Sequence, residues 1–239
     1  MPISLLLSRR ANPRPHAATL SITISEFQRV QLKGMMRAAS ETFEKTITEN
    51  AAEFGLEIGS DAVELLGRYR AEVAEVNGLL HLVSPKTLED FALRHVLESL
   101  TLLKHLPPGS SLIDVGPGAG LPSIPCIIVR DDITAVLVES KEKKARFLND
   151  MSMRCGLESR VTVINRQFEE IDRPTGDFVT CRALDKFMEK LPRLIRWSRG
   201  SKMLLFGGPS MGESLTANRI NFKSELMPLS EQRYLFICR

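Results

Sequence analysis

One run constrains this chain more than any other: Leu112-Ile113-Asp114-Val115-Gly116-Pro117-Gly118-Ala119-Gly120. An apolar strand pattern breaks into three alternating glycines, and helical sequence resumes beyond Pro122. Glycine tolerates positive φ and, lacking Cβ, lets the backbone come close to a ligand. In a doubly wound sheet the carboxyl end of the first strand opens onto the ligand crevice, so this turn predicts both a fold and a place to look for chemistry.

The rest of the chain agrees with that placement. After Pro107-Pro108-Gly109, short β-rich runs alternate with helical ones, with strands expected at 111–115, 133–139, 161–165, 177–181 and 202–206. Helices are expected in the gaps, notably 141–154 and 185–198. Such alternation predicts an α/β fold with a mostly parallel sheet and helices on both faces. Two further strands, 220–226 and 233–239, follow one another without a helix and should pair antiparallel, completing a seven-stranded sheet.

Ahead of Pro107 the pattern is helical. Phe43, Ile47, Ala51 and Phe54 recur at helical steps from Met36 onward, and Ser60 or Asp61 is placed to cap a second helix carrying Val63, Leu66, Tyr69 and Val73. A third helix is predicted after Ser84-Pro85, through Phe91, Val96, Leu97, Leu100 and Leu103. Residues 1–34 lack a clear period and read as a flexible extension or a stretch added by an upstream start codon, since Met35 and Met36 precede good helical sequence. In the opening residues the charges follow the apolar patch Leu5–Leu7, the reverse of a secretory signal.

Composition narrows the function classes. Hydrophobic residues at 43% supply a sizeable core, and a net charge of +3 permits a nucleic-acid partner without demanding one. The four cysteines form no C-x-x-C pair, and Cys126 and Cys181 lie in apolar runs, so neither a disulfide framework nor a metal site is expected and a reducing cytoplasm is the expected location. No run of about 18 apolar residues occurs, so no membrane-spanning helix is expected.

Four segments carry candidate chemistry. In the glycine turn, Leu121 stands where the dinucleotide fingerprint G-x-G-x-x-G needs its third glycine, whereas G-x-G-x-G after an acidic residue is the methyltransferase form, which accommodates S-adenosyl-L-methionine. Glu139 ends the next strand about twenty residues on, placed to accept both ribose hydroxyls; the plain alternative is a solvent-facing strand-end glutamate. Phe168-Glu169 beyond the third strand could hold an adenine, or simply open a helix with favourable charge. Arg182, emerging from the apolar fourth strand, needs a partner or a task, unless it snorkels to solvent. Basic residues, among them Lys141, Lys144, Arg166, Lys186 and Lys190, gather in the same half and could attract phosphates.

Together these segments resemble the bacterial small-subunit ribosomal RNA guanine-N7 methyltransferases, the glucose-inhibited division protein B family, over roughly residues 62–239. The most specific marks are Asp114 to Pro122 followed by Ile124-Pro125, Glu139-Ser140 with Lys143 to Leu148, and Thr180-Cys181-Arg182-Ala183. Asn77, Arg94-His95 and Glu98-Ser99-Leu100 look like the family's helical cap. Departures from the family are Val76 for tryptophan, His81 for asparagine, Glu98 for aspartate, and Gly207-Gly208 for a Lys-Gly pair, which removes a cation from the crevice.

The resemblance implies a Rossmann-like class I methyltransferase with an N-terminal helical cap (35–106) and a cofactor-binding domain (107–239). It implies that Gly116, Leu121, Phe168, Glu169 and Arg182 contact S-adenosyl-L-methionine alongside Glu139, with Gly118 and Gly120 completing the turn. Arg182 would steady the cofactor or the RNA, and His95 would shape the base pocket unless it is a satisfied core histidine. The expected partner is small-subunit ribosomal RNA or the 30S subunit, met by a monomer. Competing readings are a nicotinamide or flavin oxidoreductase, a methyltransferase of small molecules or proteins, and a non-catalytic RNA-binding descendant of the family.

Overall fold

In a computed structural model of the protein, the described residues are 26–239 apart from Ala183. The expected extension at 1–34 lies outside them up to residue 25. The described residues divide between two units, one up to Met36 and one from Arg37 to Arg239, and the sheet and the glycine turn belong to the second.

Seven strands form one sheet in the order β3-β2-β1-β4-β5-β7-β6. They are β1 (Ser111–Val115), β2 (Thr134–Val138), β3 (Val161–Ile164), β4 (Phe178–Cys181), β5 (Lys202–Gly207), β6 (Phe222–Leu226) and β7 (Tyr234–Cys238). β1 to β5 pair in parallel, while β7 runs antiparallel to both β5 and β6. This is the expected α/β class, with the antiparallel pairing where the helix-free tail predicts it.

Successive residues of a strand point to opposite faces. Leu112 of β1 therefore joins one core, with Phe43, Leu66, Tyr69, Leu97, Ile124 and Leu148. Ile113 and Val115 join the other, with Val179, Cys181, Leu191, Leu205 and Met211. Both faces of the parallel strands are covered, which is why these strands read as largely apolar runs.

The helices are α1 (Glu26–Asn50), α2 (Ser60–Leu80), α3 (residues 88–105), α4 (Ser123–Val129), α5 (Glu142–Arg154), α6 (Phe187–Trp197) and α7 (Pro209–Ala217). α1 starts ahead of the expected Met36; its residues 33–38 are exposed, so no apolar period marks them. α3 starts at Leu88, not directly after Ser84-Pro85. Thr87 caps it, its Oγ1 accepting from the Asp90 amide at 3.1 Å, while the Asp90 carboxylate accepts from the Lys86 amide at 3.0 Å. Phe91–Leu97 within α3 is a π-helical turn. His81, at the end of α2, has φ of 48°, a left-handed conformation in which Asn and His are enriched.

Candidate active site at the carboxyl end of β1

Gly116, Gly118 and Gly120 take φ of 69°, 55° and 93°, so the turn after β1 runs through a conformation that β-carbons disfavour. The Gly116 amide donates to Val138 O of β2 at 2.9 Å, holding the turn against the neighbouring strand. A Cβ on Gly116 would lie 2.8 Å from Leu184 Cδ1, and one on Gly120 would lie 2.5 Å from Ile124 Cγ1. From the opposite side, the buried hydroxyl of Tyr69 in α2 donates to Ala119 O at 3.1 Å.

Beside this turn is a hollow of about 360 Å³, within the range of small-molecule pockets, lined by Gly116, Gly118, Glu139, Leu184 and Asp185 and by four lysines, 141, 144, 186 and 190. Glu139 is only 4% exposed. Its Oε2 accepts from the Gly118 amide at 3.2 Å and its Oε1 from the Lys141 amide at 2.8 Å. Each carboxylate oxygen has two lone pairs, so both keep acceptor capacity toward the hollow. Asn165 holds the Glu139 carbonyl at 2.8 Å. A narrower recess behind the hollow shares Gly116, Ser140, Gln167, Leu184 and Lys190 with it and adds Phe168 and Glu169. Phe168 is buried edge-on against Trp197, with ring centroids 5.5 Å apart. The Glu169 carboxylate lies 3.8 Å from Lys190 and 3.9 Å from Arg193.

The structure thus brings Gly116, Gly118, Glu139, Phe168 and Glu169 together. Gly120 and Leu121 do not line the hollow. Both amides donate to Pro117 O, at 2.9 and 3.0 Å, and the buried Leu121 packs in the core, so these residues shape the turn from behind. Arg182 also faces elsewhere. Its guanidinium reaches α3, donating to Glu98 Oε2 at 2.9 Å and to the Arg94 carbonyl, and stacks over Phe206 at 5.1 Å. His95 lies on the same helix against Phe91 at 5.4 Å, with no partner for its buried Nδ1 among the described residues. Burial first, then the Arg182 charge, pulls its pKa down to about 4.

Asp114 entered the motif only as the acidic residue ahead of the glycines, with no role of its own. Its carboxyl, fully buried beneath the turn, accepts from the Ser123 amide at 3.2 Å, while Oδ1 has no partner among the described residues. Burial pushes its pKa up to about 8. An acidic residue ending a strand gives no hint of such isolation. The sequence likewise conceals that Leu184 covers Gly116, a contact between residues far apart in the chain.

Comparison with known proteins places this architecture. The family model described as rRNA small subunit methyltransferase G matches residues 62–231. A ribosomal RNA small subunit methyltransferase G from Chromobacterium violaceum is 32% identical over 163 residues, covering 67% of this chain and 78% of the relative. One from Pelotomaculum thermopropionicum is 43% identical over 116 residues, covering 48% of each. A solved structure from Nostoc punctiforme, described as a candidate O-methyltransferase, superposes with a TM-score of 0.51 at 13% identity, over 80% of this chain and 71% of that one, and shares the fold. The family match takes in the glycine turn, Glu139 and Arg182 together: the chain belongs to the rRNA small subunit methyltransferase G family.

Proposed function

We propose that this protein transfers a methyl group from S-adenosyl-L-methionine to N7 of a guanine in small-subunit ribosomal RNA, acting in the cytoplasm as a monomer. The observation that carries the reading is the buried Glu139 carboxylate set against the glycine turn in one hollow. The relatives compared above carry the name ribosomal RNA small subunit methyltransferase G, which supports this class of substrate.

The residues present fit the cofactor. Gly116 and Gly118 leave a wall without side chains, and Glu139 retains acceptors for two ribose hydroxyls. Phe168 and the backbone beside Glu169 offer an edge for the adenine. When bound, S-adenosyl-L-methionine supplies a methyl on a positively charged sulfur, open to in-line displacement by a base nitrogen. Guanine N7 has an in-plane lone pair and carries no proton, so no side chain need act as a base. The contribution of the protein is then placement, which for well-aligned reactants is worth roughly 7–11 kcal/mol. Lys141, Lys144 and Lys186 line the hollow and, among the described residues, make no ion pair within 4.0 Å, leaving their charge available to RNA phosphates.

The departure at Gly207 favours a second reading, a non-catalytic RNA-binding descendant. A Cβ at Gly207 would lie 2.8 Å from Met211 Cβ, so Met211 occupies the space beside that backbone. A buried ribose acceptor has no use in such a protein. The test is incubation of the protein with methyl-labelled cofactor and 30S subunits or small-subunit RNA from a strain lacking it. Label on a single guanine, cleaved by borohydride and aniline as N7-methylguanosine is, supports the proposal. Absence of label, with RNA binding retained, supports the descendant reading.

A further inference from the structure

Glu98 sits at the centre of a charge node that lies outside the hollow. It is 2% exposed, on α3, and each of its oxygens engages a different arginine: Oε2 accepts from Arg182 at 2.9 Å and Oε1 from Arg233 at 2.6 Å. The two arginines come from the end of β4 and the approach to β7. A carboxylate removed from water is tolerated only with such partners, and loss of one leaves the others uncompensated.

The π-helical turn of α3 adds a third tie. The Glu98 amide bonds to the Leu93 carbonyl, five residues back, instead of that of Arg94. The Arg94 carbonyl accepts from Arg182. Arg182 also approaches Ser99 Oγ at 3.4 Å and lies over the Phe206 ring. The side chain is therefore held on several sides, and with it the backbone that leaves β4.

In the sequence, the wall of the hollow follows close behind Arg182. Two residues on, Leu184 covers Gly116, and Leu184, Asp185 and Lys186 form one wall of the hollow. Lys186 itself is in a left-handed conformation at φ 53°, so this stretch depends on its surroundings to keep its course.

We infer that Glu98 is a positioning residue for the methyl-transfer site: by gripping Arg182 and Arg233 it fixes the wall carrying Leu184, and so sets the fit of the cofactor hollow from the helical side. This rests on the proposed reading of the hollow as the cofactor site. Unlike a contact with the cofactor, it acts through the chain, so its effect must run through Leu184.

A double-mutant cycle on cofactor affinity, measured by calorimetry, tests this. Glu98→Gln and Leu184→Ala are each expected to weaken S-adenosyl-L-methionine binding, Glu98→Gln by about tenfold, and, because the effect of Glu98 runs through Leu184, the double variant is expected to bind within twofold of Leu184→Ala. A folded Glu98→Gln protein with wild-type affinity, or effects that multiply in the double variant, would overturn the inference. Where circular dichroism shows Glu98→Gln unfolded, Arg233→Met replaces it in the same cycle; Arg233 is 37% exposed at its side chain and less exacting to replace. A wild-type protein with no affinity for the cofactor overturns the reading of the hollow, and this inference with it. Normal wild-type binding beside an insensitive Glu98 variant removes this inference alone.

Discussion

The Glu139 carboxylate accepts a hydrogen bond from the Gly118 amide at 3.2 Å, joining the end of β2 to the glycine turn after β1. One buried side chain thereby both shapes the turn and faces the hollow, and its removal should be felt in cofactor binding before anything else. Glu139→Ala is expected to weaken cofactor affinity by on the order of 1.5–3 kcal/mol, the worth of a hydrogen bond to a charged group. Calorimetry on the folded variant checks this, and unchanged affinity would remove the ribose role.

The turn glycines should respond differently to alanine. At Gly120 the new Cβ meets the β-branched Ile124 at 2.5 Å on a backbone of φ 93°. Conformational strain and overpacking together predict a loss of about 2–4 kcal/mol in a denaturant titration. At Gly116 the obstacle is the end of the Leu184 side chain at 2.8 Å, which can swing aside. Gly116→Ala should therefore cost less stability, about 1–2 kcal/mol, while impairing cofactor binding more.

The lysines of the hollow predict a salt signature. If Lys144 meets one phosphate, Lys144→Ala should weaken binding to small-subunit RNA and make the log–log salt slope shallower by about 0.7–0.9. Filter binding across a range of salt concentrations measures both quantities. A parallel shift with an unchanged slope would place Lys144 away from the phosphates.

Asp114 predicts a pH effect with a definite sign. Its pKa is raised by burial from 3.8 to about 8, so across that window the unfolded chain releases a proton that the folded one keeps. Its contribution to stability is therefore complete at low pH and declines as pH rises toward 8. Asp114→Asn removes the titration, and its stability relative to wild type should improve by up to about 1.4 kcal/mol per pH unit over the window. Paired denaturation curves from pH 5 to 8 without cofactor test it; a constant difference would contradict it. His95 has the opposite sign, since its pKa is lowered from 6.5 to about 4 and stability is lost as pH falls through that interval, but it is common to both proteins and cancels.

The strands were legible because a buried parallel sheet writes apolar runs such as 135–138 and 203–206, and the tail pairing followed from the missing helix between β6 and β7. The glycine turn and Glu139 were legible because their spacing reflects a local β-turn-α geometry. The onset of α3 was misjudged because the cap is a side-chain bond from Thr87, which competes with the proline signal at Pro85. The exposed start of α1 carries no apolar period. Arg182 stood out as a cation in an apolar strand, yet its partners, the Glu98 carboxylate and the Arg94 carbonyl, lie 84 and 88 residues away, so its direction could be known only from the packed fold. The same holds for Leu184 above Gly116.

The most direct measurement is a crystal structure of the protein with S-adenosylhomocysteine, the product left once the methyl has gone. The account predicts the nucleoside in the hollow beside the Gly116–Gly118 turn, with both ribose hydroxyls within hydrogen-bond distance of the Glu139 carboxylate. A nucleoside bound elsewhere, or a Glu139 side chain turned from the sugar, would contradict it.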